Sequence, residues 1–161
     1  MTKSVSQSHG ASMAVYSRNH RGHLESAAAV GSTDSQRLVT LRSQKEWVSA
    51  DKATRKYGPT AIYFAVVDGG PFVEYEAELV EVQLNPDAEN PETKRLLAYA
   101  AETTSHEGLW GDKVKTLYAI RNCRKLSQHY RLSELTKCDG GQPLSDDYIR
   151  GYALVRRRVA V

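Results

Sequence analysis

The chain holds two tryptophans and nine tyrosines but only two phenylalanines, a bias toward rings that join an apolar face to a hydrogen-bonding edge. Such rings suit half-buried core positions and also pockets that stack a nucleobase. Trp110 lies in the polar, glycine-flanked run His106-Glu107-Gly108-Leu109-Trp110-Gly111-Asp112, where no periodicity requires a large ring. It reads either as a base-stacking surface, worth roughly 1–3 kcal/mol per base, or as a cover over one end of the fold. Trp47 sits on the apolar face of its helix and reads as core or as a second pocket wall. Tyr63 and Tyr118, each on a strand, complete the candidate base-binding set. Around these rings stand Arg121, Arg124, Lys125, Arg131, Arg150, Arg156, Arg157 and Arg158. Guanidinium forks match phosphate oxygens and base edges bidentately, although a basic run also makes an ordinary solvated face.

The charge distribution sharpens this reading. Residues 113–161 carry eleven Lys and Arg against four Asp and Glu, whereas residues 86–112 carry two against six. A basic C-terminal third is the electrostatic footprint of a phosphate-backbone binder, since each phosphate contact releases condensed counterions. Catalytic signatures are missing: there is no phosphate-cradling glycine loop, G-x-S-x-G, H-E-x-x-H, C-x-x-C or kinase set. Cys123 with His106 or His129 could pair a nucleophile with a base, but a mid-strand thiol is ordinarily buried and inert. The Asp139-Gly140-Gly141 and Asp146-Asp147 carboxylates read as turn and capping residues. His20-x-x-His23 has no third ligand at helical spacing, so no metal and no cofactor is expected. Two cysteines, Cys123 and Cys138, are too few for a disulfide framework and read as reduced thiols of a cytoplasmic protein. The longest apolar run, residues 61–67, is far shorter than the roughly 20 residues of a membrane span, and the N-terminus shows no signal-peptide core, so no membrane is expected.

These residues need elements to position them. Residues 1–36, with eight serines, read as a largely irregular segment that buries too little surface to offset ordering entropy. Residues 37–161 read as one domain. Arg37–Arg42 is a short β-prone run, and Ser43 with Glu46 forms a capping box that opens a helix. That helix carries Trp47, Ala50, Thr54 and Tyr57 on one face and stops at Gly58-Pro59. Thr60–Val67 is apolar on both faces, as in a buried central strand, and Asp68-Gly69-Gly70-Pro71 turns it back as a hairpin. In Phe72–Leu84 the apolar phase runs Val73, Tyr75, Ala77, Leu79 and then slips to Val80, Val82, Leu84, which predicts a β-bulge. Asn90-Pro91-Glu92 starts a second helix through Ala101, ending near Gly108. Val114–Leu126 predicts a third long strand, Arg131–Thr136 a short strand or turn, and Tyr148–Arg156 a last strand. The fold class is α+β: a small curled barrel of about five or six strands flanked by two or three helices.

The hairpin Ala61–Val82, the helix after Pro91, the Leu109-Trp110-Gly111 word leading into Val114–Leu126, and the words Arg131-Leu132-Ser133-Glu134-Leu135 and Gly151-Tyr152-Ala153 together resemble the PUA-like superfamily, particularly its EVE and YTH branches. The resemblance covers about residues 37–157. It implies a curled β-barrel that binds nucleic acid and holds a modified, for example methylated, base in an aromatic cage, with Trp110 at the place of a cage tryptophan. The expected function is therefore a module that binds DNA or RNA and reads a modified base, with an effector nuclease as a possible partner and no catalysis of its own. It would be cytoplasmic, and nucleoid-associated if the target is DNA. Two alternatives stand beside it. The ASCH branch of the same superfamily implies a small amidohydrolase on modified nucleosides, with Lys45, Glu46 and the Glu-rich strand as its acid and base. The other is a protein-interaction domain using a flat acidic face of Glu74, Glu76 and Glu78.

Overall fold

The computed structural model describes residues 12–99, 114–146, 148 and 152–158. The chain runs β1 (Met13–Asn19), α1 (Arg21–Thr33), β2 (Val39–Ser43), α2 (Val48–Tyr57), β3 (Thr60–Val66), β4 (Phe72–Leu84), α3 (Pro91–Leu97), β5 (Thr116–Arg131), a 3-10 turn (Leu132–Glu134) and β6 (Tyr152–Arg156). The strands form one six-stranded sheet in the order β2-β5-β4-β3-β1-β6. Only β1 and β3 pair in parallel; every other neighbour is antiparallel. The architecture is α+β, as expected, but the sheet is not closed into a barrel, because its end strands β2 and β6 do not pair.

The central hairpin follows from its residues. Ile62, Phe64 and Val66 of β3 face one side and Tyr63 and Ala65 the other, and all five are buried. Asp68 takes a left-handed φ of 64° at the turn, a conformation that Asp tolerates better than most residues. Along β4, Tyr75, Ala77 and Leu79 join one core cluster, and Val82 rejoins it after the bulge, where the register against β5 slips between Leu79 and Glu81. Asn90 caps α3 by accepting a 2.8 Å hydrogen bond from the Glu92 N–H, with Pro91 at the first helical position. Ala50 and Thr54 are buried along one face of α2, Trp47 is buried at its N-cap, and Gly58, at φ 81°, ends it.

Three boundaries differ from expectation, and a fourth is only partly described. Within the serine-rich N-terminal segment, residues 13–33 are not irregular but supply β1 and α1. Ala14, Val15 and Tyr16 are fully buried because β1 is inserted between β3 and β6. The average over residues 1–36 hides the four-residue apolar run Met13–Tyr16. The Ser43–Glu46 capping box does not form. Ser43 Oγ instead accepts from the Lys45 N–H, Glu46 accepts from Asn85 Nδ2, and α2 starts later, at Val48. The described helix α3 ends at Leu97, and the expected extension toward Gly108 lies outside the described residues from 100 on. β5 continues to Arg131 rather than ending at Leu126, since its far half pairs with the start of β4.

Two apolar layers result. All six strands contribute to the first, which packs α1 through Leu24 and Ala27 and α2 through Trp47 and Ala50. The opposite face, with Ala14, Tyr16, Tyr63, Ala65, Val73 and Val155, is covered by Leu132, Leu135 and Leu144 of the segment after β5. Among the described residues no helix is long and apolar enough to cross a membrane.

Candidate nucleic-acid interface

The basic residues singled out from the sequence are sorted by the register of β4 against β5. Glu76 stands opposite Arg124 and Glu78 opposite Arg121, and both pairs close as ion pairs, at 3.0 and 3.3 Å. Arg131 is held by Asp146 at 3.0 Å and lies 5.2 Å from the Phe72 ring centroid. Three of the expected phosphate-binding residues are therefore already paired with carboxylates. Lys125, Arg156 and Arg157 are exposed and make no ion pair with a described residue. Arg150 lies outside the described residues.

The same pairing removes the flat acidic face expected of Glu74, Glu76 and Glu78. Glu76 and Glu78 share one face with their arginines. Glu74, at a register shift, is 6% exposed, and Arg21 at the start of α1 contacts both its oxygens, at 3.1 and 3.3 Å.

Beside Arg124, an open groove of about 1100 Å³ runs along the face of the sheet opposite the main core. Tyr63 and Tyr130 form its aromatic floor, their rings meeting edge to face at 6.3 Å and 83°. Asn122, Ser127 and Gln128 give it polar lining, and Arg124, Arg157, Arg158, Glu76 and Glu78 give it charges of both signs. The Arg158 backbone N–H donates to the Tyr63 hydroxyl at 2.8 Å, and the guanidinium carbon sits 3.6 Å above the Tyr130 ring. Burial pushes both phenols above their ordinary range, so each hydroxyl keeps its proton at neutral pH. Asn122 takes a positive φ of 54° at a bulge in β5. Gly31 of α1 fits against that bulge, because a Cβ there would lie 2.7 Å from the Cys123 carbonyl oxygen.

Of the three expected base-binding rings among the described residues, Trp47 and Tyr118 stack on one another and Tyr63 lies apart from them. Tyr63 lines the groove. Trp47 is fully buried, with one face stacked on Tyr118 at 4.2 Å and 21° and another stacked contact to Tyr152 at 5.0 Å and 27°. Tyr118 is itself fully buried, and its hydroxyl accepts a 2.8 Å bond from Asn19 Nδ2. These two rings bridge the gap between β5 and β6 and are core residues here, because their faces already cover one another. Trp110 lies outside the described residues. The sequence reading missed the floor residue Tyr130. Its signal was present in the period-two series Leu126, Gln128, Tyr130, which was lost when the strand was ended early.

Chemistry other than binding finds little support in the geometry. Cys123 is buried, and desolvation pushes its thiol up to about 12, which keeps it a protonated, poor nucleophile. His129 Nε2 lies 3.9 Å from Glu74. Among the described residues no group of three or more His, Cys, Asp or Glu is placed to hold a metal.

No family model matches the chain, and no curated protein matches it. Among solved structures, the N-terminal domain of Staphylothermus marinus McrB is similar over 75% of this chain and 77% of that one, at 13% identity and a TM-score of 0.40.

Proposed function

We propose that this chain is a nucleic-acid-binding module that holds a phosphate backbone along the rim of the Tyr63–Tyr130 groove and inspects one base there. The observation that carries the reading is that exposed Arg157, which makes no ion pair with a described residue, lines a groove with an aromatic floor, with exposed Arg156 beside it in the chain. Affinity would come from those arginines and Lys125, each phosphate contact releasing counterions. Arg121, Arg124 and Arg131 would contribute less, because a phosphate must compete with Glu78, Glu76 and Asp146. Selectivity would come from ring stacking and from polar edges left unpaired by a wrong base.

The sequence resemblance to the PUA-like superfamily supports the finer reading. The inspected base is a modified one, such as a methylated adenine or cytosine, Trp110 forms part of its pocket, and the module targets an effector nuclease in the cytoplasm. No observation favours the hydrolase or protein-interaction alternatives over this one.

The test is fluorescence polarisation against short DNA and RNA oligonucleotides, single and double stranded, unmodified and methylated at adenine or cytosine, at two salt concentrations. Binding that weakens with salt supports the reading, and replacing Arg156 and Arg157 together with Ala lowers the salt slope by about 2. A preference for one methylated oligonucleotide that Trp110→Ala abolishes, with unmodified binding retained, supports the modified-base reading. Flat polarisation across the panel at low salt refutes nucleic-acid binding.

A further inference from the structure

We infer that the Arg158 guanidinium, laid on the Tyr130 ring, is a platform on which one unpaired base of a single-stranded nucleic acid stacks; the inference rests on the nucleic-acid reading above and assigns the site and the strand. The 3.6 Å separation of guanidinium carbon and ring centroid is that of two stacked planar groups. Three contacts brace the arrangement. Tyr63 accepts the Arg158 backbone N–H, its ring meets Tyr130 edge to face, and Tyr130 supports the guanidinium from below. The side chain remains 34% exposed and lines the groove, so one face of the guanidinium is covered by Tyr130 while the residue is still open to a ligand. Bases stack on arginine planes as they do on aromatic rings.

The guanidinium is also fixed at its edge, where its buried Nη1 pairs with Glu134 at 3.5 Å, so what it offers a ligand is its face and not that edge. The single strand is the simpler source: a base inside a duplex has both faces covered by its neighbours and must be flipped out at a cost, whereas a base of a single strand has a face to offer.

The experiment places 2-aminopurine, whose fluorescence falls on stacking, within a single-stranded oligonucleotide and within a duplex. The wild-type chain is expected to quench the single strand at saturation and to leave the duplex probe unchanged. Arg158→Lys keeps the charge and removes the plane. It is expected to abolish the quench and weaken single-strand binding about tenfold, with an unaltered salt slope. Tyr130→Leu is expected to do the same, and because that ring is partly buried, thermal unfolding of each variant separates lost folding from lost stacking. Arg156→Ala is expected to lower affinity while keeping the quench at saturation. Arg158→Lys quenching like wild type overturns the platform and leaves nucleic-acid binding standing. Absence of binding by the wild-type chain to either probe at low salt overturns both.

Discussion

Gly22 and Gly31 lie in the same helix, α1, yet the same substitution is expected to act on them with opposite sign. An Ala Cβ at Gly31 would sit 2.7 Å from the Cys123 carbonyl oxygen and 2.9 Å from the Cys123 nitrogen. Ordinary contact at such a pair begins near 3.4 Å, so something must move by about 0.5 Å or more. The obstructing atoms are backbone, in a strand whose neighbours Arg121 and Arg124 are in register with β4, so the helix has to lift. Overpacking of this kind costs about 1–3 kcal/mol. The better helix propensity of Ala returns at most about 1 kcal/mol. Gly31→Ala is therefore expected to lose up to about 2 kcal/mol net, lowering Tm by up to about 8 °C at this chain length. At Gly22 an added Cβ meets nothing within 4 Å, and the position lies in the first turn, so Gly22→Ala is expected to gain up to about 0.5–1 kcal/mol. Urea and thermal denaturation of the two variants against wild type measure the contrast. If Gly31→Ala stabilises as much as Gly22→Ala, α1 is not seated on the β5 bulge and the reasoning fails.

Two further outcomes are expected. Trp47→Ala empties a fully buried stack between Tyr118 and Tyr152 and should cost about 3–5 kcal/mol. Trp47→Phe should be milder, because it keeps a ring and removes the indole N–H, which has no partner; chemical denaturation of both checks the order. Burial raises Cys123 to about 12, and it also raises Tyr118 and Tyr130. In each case the unfolded chain ionises first. Stability should therefore hold below about pH 9 and fall as pH rises toward 12, Cys123 alone accounting for about 4 kcal/mol by pH 12. Urea titrations across that range, with Cys123→Ser as a comparison, measure the slope; a flat profile refutes the burial argument.

The hairpin was legible because its information is local. Alternation in Phe72–Leu84, the slip after Leu79 and the Asp68-Gly69-Gly70-Pro71 turn each act within a few residues. The same holds for the cap at Asn90 and the buried face of α2. β1 was not legible, because its burial is supplied from elsewhere. Asn19, a polar residue 5% exposed at the end of an apolar strand, is accommodated by Tyr118 from the far side of the sequence. Even the parallel pairing with β3 requires a connection through α1, β2 and α2.

The candidate site divides along the same line. Composition and charge by themselves determined that the C-terminal third is arginine-rich and that rings with polar edges abound. Which arginines stay unpaired was decided by the β4–β5 register, a property of two strands separated by α3 and the segment that follows it. Which tyrosines line a groove was decided by the face each strand turns outward once its neighbours are in place. Tyr63 and Tyr118 have the same side chain and are both buried, but Tyr63 lies beneath a groove beside Tyr130 while Tyr118 is enclosed by Trp47 and Asn19. A side chain's chemistry belongs to its residue type, but its availability depends on contacts between distant segments, and only the packed sheet supplies those.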